Sequence, residues 1–479
     1  METNGAVSGL KESFVVCRDS SGAETRGTLV RLTRDLAVFE IYSPTVVLRM
    51  SEVLAEFKIT FQDRLIYSGR AVVSSLVNSG TGLVCEASLD EGWLELSAVL
   101  PGGKNPLPAQ FGEFLKSWQH NYRVRPEFKV VVADMESLFA DMRLWLDQVE
   151  LSLRSTSSGD RIQREREAAH ELAASVLPAI DSIGDQFEEI AAGLDADARP
   201  AHIRFARRQL HPLVLCSPFA FRTYRKPLGY AGDYEMVNMI VRNPYEGGSL
   251  FAKVVNAWFL DQLPALAHRN RITILKQRLK AETARAMRLG RPAKIFNLGC
   301  GPAGEIQEFI KEEIVASSAR FDLLDFNEET IQHTGALLRE LARKNNRTTG
   351  IQMLQKSVAQ VLKEAARASA GTANGSTGKY DFLYCAGLFD YLPDRVCKQL
   401  MNVFYESVAP GGLLLVTNVD ATLAFRNKLE FILDWNLLYR NHRQMTALKP
   451  DQALADDCSV LADASAVNLF LEIRKPENA

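Results

Sequence analysis

The chain has 479 residues, 47% of them apolar and 24% charged, and carries a net charge of −2. That length predicts two to four folded domains, and the near-zero charge leaves no electrostatic case for nucleic acid or an anionic membrane surface. Seven scattered cysteines, none in a Cys-x-x-Cys pair, argue against a disulfide framework or a zinc site and fit a reducing cytoplasm. The opening METNGAVSGLKESF has no basic-then-apolar leader pattern, and no run approaches the ~20 apolar residues of a membrane span. A cytoplasmic protein is expected.

From about Ser13 to Ala98 the chain reads as short strands broken by turns: RGTLVRLT, LAVFEIYS, EFKITFQ, RLIYSGRAVVSSLV and GTGLVCEASL. Such spacing predicts a small antiparallel barrel within 1–105, ending at a Pro-Gly-Gly-Lys-Asn-Pro linker at 101–106. From about Phe111 to Asp197 the period turns helical. Val131, Met135, Leu138, Met142, Trp145 and Val149 form one predicted apolar stripe. Serines 155, 157 and 158 with Gly159 break that helix, and a second runs from about Arg161 to Ala192. The hairpin, within 106–200, serves either as a homodimer or interdomain surface or as a catalytic element.

Residues 201–290 read as helices interrupted by RTYRKPLGYAGDYEM at 222–236. Tyr224, Arg225, Gly229, Tyr230, Gly232, Asp233 and Tyr234, with Asn270, Arg271 and Ile272, are candidate lid residues over a ligand; the alternative is a loop packing two helices. Residues 291–479 alternate strands and helices, with a low-complexity stretch at 366–378.

In this last region a short apolar strand (Ile295, Phe296, Leu298) runs into Gly299-Cys-Gly301-Pro-Ala-Gly304, and a helix starts at Glu305. Glycines at this spacing let bare backbone approach a ligand at a helix N-terminus. Asp325 follows 21 residues after Gly304, where a second strand delivers a carboxylate able to accept from both ribose hydroxyls; it also fits a turn or N-cap before Asn327. Then come a third strand ending at Ser357-Val358, a Tyr380-Asp-Phe strand ending at Ala386-Gly387, a Pro410-Gly-Gly strand, and a hairpin over 458–475.

Taken in that order, these pieces resemble the class I S-adenosylmethionine methyltransferase fold, a Rossmann-like α/β domain; a nicotinamide dehydrogenase shares the glycine loop and acid but not the closing hairpin. The resemblance implies S-adenosylmethionine as cofactor. It would put Asn297, Gly299, Gly301 and Gly304 at the methionine part, Asp325 at the ribose, Ser357 and Val358 at the adenine, and Ala386 and Gly387 below the sulfonium. Tyr230, Asp233 and Arg271 would add lid contacts. Asn297 departs from the pattern, since such enzymes usually carry Asp or Glu there.

PLGYAGDYEMVNMI, FILDWNLLYRNHRQM (431–445) and this core also resemble bacterial methyltransferases associated with 3-hydroxy fatty acid methyl esters, such as the 3-hydroxypalmitic acid methyl ester used in quorum sensing. That resemblance implies an acyl carboxylate as methyl acceptor. Phe389, Leu392, Phe425, Phe431, Trp435 and Leu438 are candidates for an apolar trough, or are ordinary core. Tyr439 and Arg440 would hold the polar head or form a solvated helix end. Tyr230, Tyr391 and Arg440 are the catalytic candidates; His333 and His442 are possible bases without a triad pattern; no metal is implied. The first barrel resembles a PilZ domain, but Arg26, Arg31 and Arg34 have the wrong spacing for its arginine motif. Tyr42-Ser-Pro-Thr45 stands where the second motif belongs, and the Asn78–Gly82 turn comes too late. A degenerate barrel that contacts the enzyme or a partner is expected, rather than a cyclic di-GMP sensor. The competing functions are a methyltransferase for another metabolite or a protein side chain, and a scaffold with a vestigial cofactor fold.

Overall fold

The computed structural model describes residues 13–20, 22–33, 35–42, 47–61, 64–78, 82–90, 124–153, 158–369 and 379–477. The linker at 101–106, Arg34, residues 43–46, most of the Asn78–Gly82 turn and 370–378 lie outside them.

Six strands close an N-terminal barrel: β1 (Ser13–Arg18), β2 (Glu24–Leu32), β3 (Leu36–Ile41), β4 (Val53–Phe61), β5 (Arg64–Asn78) and β6 (Leu83–Leu89). Their order is β1-β2-β3-β6-β5-β4, with β4 pairing back to β1. Alternate residues point inward, as the two-residue period of a strand requires, so Val15, Leu29, Phe39, Phe57 and Val73 fill the interior. Closure leaves no sheet edge exposed.

The helical layer begins with α1 (Pro126–Leu153) and α2 (Ser158–Ala192). The buried stripe of α1 is Phe128, Val131, Val132, Met135, Phe139, Met142 and Leu146. Trp145, expected in that stripe, is 51% exposed; Leu146, one position on, turns into the core instead. The hairpin packs on α3 (Arg199–Val214) and α6 (Leu250–Asp261), with α4 (Pro218–Arg225) and α5 (Tyr234–Val241) beside them. Phe128, Phe187 and Phe431 meet ring to ring, with centroids 5.3–6.0 Å apart, and tie the helices to the C-terminal region. The long α7 (Leu263–Arg288) leads into the sheet domain.

That domain holds β7 (Ala293–Leu298), β8 (Ala319–Asp325), β9 (Gly350–Gln355), β10 (Tyr380–Cys385), β11 (Val408–Val419), β12 (Cys458–Ala462) and β13 (Asn468–Arg474). Intervening helices include α8 (Gly304–Glu312), α9 (Glu328–Lys344), α10 (Val358–Ser369), α11 (Asp394–Ser407), α12 (Arg426–Ile432) and α13 (His442–Ala447). The strand order is β12-β13-β11-β10-β7-β8-β9; β7 to β11 pair in parallel, and β13 runs antiparallel to β11. The sheet is that of a Rossmann-like α/β domain closed by a terminal hairpin, and the chain is multidomain: barrel, helical layer, α/β domain. The order reverses between β7 and β10, and such a switch point opens a crevice at the strands' C-terminal ends. Among the described residues, no helix is long and apolar enough to cross a membrane.

The barrel is seated directly on this crevice. Met50 N–H donates to Tyr391 O at 3.0 Å, and Val53 N–H donates to Gly229 O at 2.7 Å. Between them Ser51, at φ +57° and fully buried, accepts from Asn436 N–H at 2.6 Å.

Candidate functional site

One continuous cavity of about 1130 Å³ opens at the switch point and is lined from all three regions. At one end, Gly299 and Cys300 N–H groups donate to Leu324 O at 2.8 and 3.0 Å, which pins the glycine loop across the end of β8. Gly301, at φ +50°, has no heavy atom of the described residues within 4 Å of where a Cβ would stand, so its bare backbone faces open cavity. Gly304 serves differently: a Cβ there would lie 3.1 Å from Ile272 Cδ1, so the glycine admits α7 against the start of α8.

Asp325 ends β8 in the same crevice. Its Oδ2 accepts from Gly301 N–H at 3.2 Å and its Oδ1 from Asn327 N–H at 3.0 Å. The helix N-cap is Asn327, whose Oδ1 accepts from Thr330 N–H at 2.9 Å, so Asp325 is free of that duty. Burial pushes its carboxyl pKa up, against the pull of those two amides and of Arg49. Remaining lone pairs on both oxygens can accept further hydroxyl donors.

The departure at Asn297 has a local answer. Glu305, in the first turn of α8, brings a buried carboxylate beside it, with Oε1 accepting from Tyr384 O–H at 2.7 Å. Burial raises the Glu305 pKa, and the Tyr384 hydrogen bond opposes that rise. Asn297 lines the cavity end, and its buried Oδ1 has no hydrogen-bond partner among the described residues. Such an atom calls for an N–H or O–H from a ligand or water.

Across the crevice, Gly387 sits at φ +90° and its N–H donates to Thr417 Oγ1 at 3.0 Å. A Cβ at Gly387 would come within 3.0 Å of Arg271 Nη1, so glycine is what lets this guanidinium lie against the loop. Ala386, Ser357 and Val358 complete the wall, with Ser357 Oγ capping α10 through Gln360 N–H. Arg271 donates through Nη2 to His268 Nδ1 at 2.7 Å. Burial and the two flanking arginines drive the His268 pKa well below its usual value, consistent with an unprotonated acceptor.

Beyond Gly387 and Arg271 the cavity turns apolar and runs between helices, lined by Phe219, Val237, Phe259, Phe425, Leu433 and Trp435. Asp390 stands at the junction, 4% exposed, with Oδ1 accepting from Val419 N–H at 2.7 Å. Burial lifts its pKa to about 6, with Val419 N–H and the charges of Arg271 and Arg440 restraining the rise. The Tyr391 hydroxyl oxygen accepts from Trp435 Nε1–H at 2.8 Å on the same wall.

The structure gathers most of the expected residues and redirects others. Asn297, Gly299, Gly301, Gly304, Asp325, Ser357, Val358, Ala386, Gly387, Tyr230, Arg271 and Tyr391 all line the cavity. Asp233 does not: it caps α5 through Met236 N–H at 2.8 Å and pairs with Arg222 at 2.8 Å, because an acid at a helix N-terminus satisfies free amides. Arg440 is a strut, neither a head-group ligand nor a solvated helix end. Its guanidinium donates to Phe389 O, Asn418 Oδ1 and Leu392 O at 2.5–2.7 Å, consuming its donors inside the fold. Of the trough residues, Phe425 and Trp435 line the arm, whereas Phe389, Leu392 and Phe431 are ordinary core and Leu438 packs on the barrel. Tyr439 is half-buried, with the Arg426 guanidinium 4.6 Å over its ring centroid. His333 stacks on Tyr234, and His442 is 3.9 Å from Asp420; neither lines the cavity. Of the lid candidates, Tyr230, Gly232, Tyr234, Arg271 and Ile272 line the cavity. Tyr224 packs on His211, and Asn270 bonds Asp463.

Sequence reasoning missed His268, Glu305, Asp390, Thr417 and Arg49. Glu305 and Thr417 carried weak signals, as the first-turn acid after the glycine loop and a polar residue in an apolar strand; Arg49, from another domain, carried none.

No family model matches the chain, and no curated protein matches it. Among solved structures it is similar to a possible exported protein from Bordetella parapertussis, at 17% identity and TM-score 0.43 over 64% of this chain and 98% of that one. It is also similar to magnesium protoporphyrin IX methyltransferase from Synechocystis with bound S-adenosylhomocysteine (13%, TM-score 0.33, 57% and 99%). A third likeness is to the N-methyltransferase NodS from Bradyrhizobium japonicum (15%, TM-score 0.30, 53% and 100%).

Proposed function

We propose that this chain is an S-adenosylmethionine-dependent methyltransferase that esterifies the carboxylate of a fatty acid, a 3-hydroxy fatty acid by the family resemblance. One observation carries the reading: Gly301 N–H and the Asp325 carboxylate share a crevice that continues into an apolar arm. The residues fit the cofactor. Gly301 offers open space at bare backbone, Asn297 lines the same end with a polar side chain, and Asp325 keeps lone pairs for ribose hydroxyls. Ser357 and Val358 border the far side.

When bound, the cofactor supplies an electrophilic methyl group. The chain's own residues orient and enclose. An acyl carboxylate is ionised at neutral pH, so the acceptor needs no general base. Arg271, the half-buried guanidinium at the junction, pairs with that carboxylate and aims it past Gly387. Phe425, Trp435 and Val237 take the chain, and Tyr230 with the barrel excludes water.

The test is mass spectrometry of lipid extracts from cells fed methyl-labelled methionine, with and without the gene. A labelled fatty acid methyl ester that disappears with the gene is expected. A labelled product of another class, indifferent to acyl length, would move the substrate elsewhere; failure of the purified chain to bind S-adenosylhomocysteine would remove the cofactor reading altogether.

A further inference from the structure

Arg49 belongs to the barrel, yet its guanidinium lies 3.9 Å over the Phe326 ring and 5.8 Å from that of Tyr230. Phe326 directly follows Asp325, and its ring centroid is 5.0 Å from that of Tyr230. All four residues line the cavity at the Asp325 end. The barrel holds Arg49 firmly. Glu52, 1% exposed, accepts from Arg49 N–H at 2.8 Å and from Arg49 Nη2 at 3.4 Å, and Nη2 also donates to Ser20 Oγ at 2.7 Å. Among the described residues the guanidinium's hydrogen bonds all run through Nη2, so Nη1 and Nε keep their donors while the side chain is only 12% exposed. A guanidinium stacked on an aromatic ring with free in-plane donors is suited to a nucleoside, whose base and sugar present acceptors.

We propose that the barrel is a fixed wall of the nucleoside end of the cofactor site and that Arg49 is the ligand-positioning residue it contributes. This rests on the cofactor reading above. Docking of the barrel and occupancy of the site are then linked: a nucleoside held between Asp325 and Arg49 tightens the contacts of Met50 with Tyr391 and of Val53 with Gly229, and loosening those contacts weakens the nucleoside.

The experiment is calorimetry of the full chain with S-adenosylhomocysteine and with 5′-methylthioadenosine, which keeps the nucleoside and lacks the amino-acid tail. Arg49→Ala should weaken both ligands by the same factor, about tenfold, as expected for a lost charged hydrogen bond with stacking. Arg49→Lys should restore part of the loss. Backbone hydrogen exchange should show added S-adenosylhomocysteine slowing the Met50 and Val53 amides in wild type, and less so in Arg49→Ala. Wild-type affinity in Arg49→Ala, or amides at 50 and 53 indifferent to ligand in wild type, would overturn the inference while leaving the cofactor reading standing. Loss for S-adenosylhomocysteine alone would also overturn it, by moving Arg49 to the amino-acid end. A wild-type chain that binds neither ligand takes down both readings.

Discussion

The two ends of the cavity are built in different ways. The glycine-loop end is built on backbone: amides of Gly299, Cys300 and Gly301 at two strand termini, with the carboxylates of Asp325 and Glu305 beside them. The apolar arm is made of side chains from at least four separated segments, Phe219, Val237, Phe259 and the 423–435 stretch. A backbone site is fixed by a short run of sequence, whereas a side-chain site is fixed only by how distant elements pack. The first end should therefore fail abruptly under one substitution, and the second should be retuned by degrees.

The largest effect expected is at Gly301. Gly301→Val fills the open space beside the loop and should abolish S-adenosylhomocysteine binding by calorimetry, a loss beyond a thousandfold or about 4 kcal/mol. Undiminished binding would break the comparison at its stronger end.

Asp434 anchors the arm's far wall. It is buried, pairs with Arg207 at 2.8 Å and with the fully buried Lys226 at 3.1 Å, and those cations hold its pKa at about 2 despite burial. Asp434→Ala leaves Lys226 buried without its counter-ion and should cost about 3–5 kcal/mol in denaturant unfolding. Because the folded pKa is depressed, this pair's stabilisation is complete above the ordinary carboxylate range and is lost only as pH falls toward 2.

Asp390 behaves oppositely. Its pKa is raised to about 6, so its contribution is fully present below about pH 4 and is lost as pH rises through 6. At about 1.4 kcal/mol per tenfold change in proton affinity, stability should fall by about 3 kcal/mol across that window. The fall should be absent in Asp390→Asn measured in parallel. The smallest effect belongs to the arm: Val237→Trp should lower kcat/KM for long acyl chains about tenfold, roughly 1.4 kcal/mol, with S-adenosylhomocysteine affinity unchanged. Equal losses for short and long chains would mean the arm does not hold the acyl group.

Legibility in the sequence follows the same division. The glycine loop, Asp325 and the terminal hairpin could be read because each lies within a few consecutive residues of one strand and one turn. The barrel's strands showed in their alternation, and its closure is topological. Arg440 misled because a polar tail at the end of FILDWNLLYR says nothing of the carbonyls that a loop from another strand presents to it. Trp145 misled by one position: the three-and-four steps of α1 continue to Leu146 rather than to the larger residue beside it. Arg49 and His268 were invisible, since their meaning comes from what the barrel and α7 are packed against.

Trp435 turns one wall of the arm into an optical reporter. Its indole faces the cavity while its N–H is tied to Tyr391, so an occupant displaces water from the ring without disturbing that bond. Emission should shift to shorter wavelength as the arm fills, which gives a label-free titration of the acyl subsite separate from that of the nucleoside.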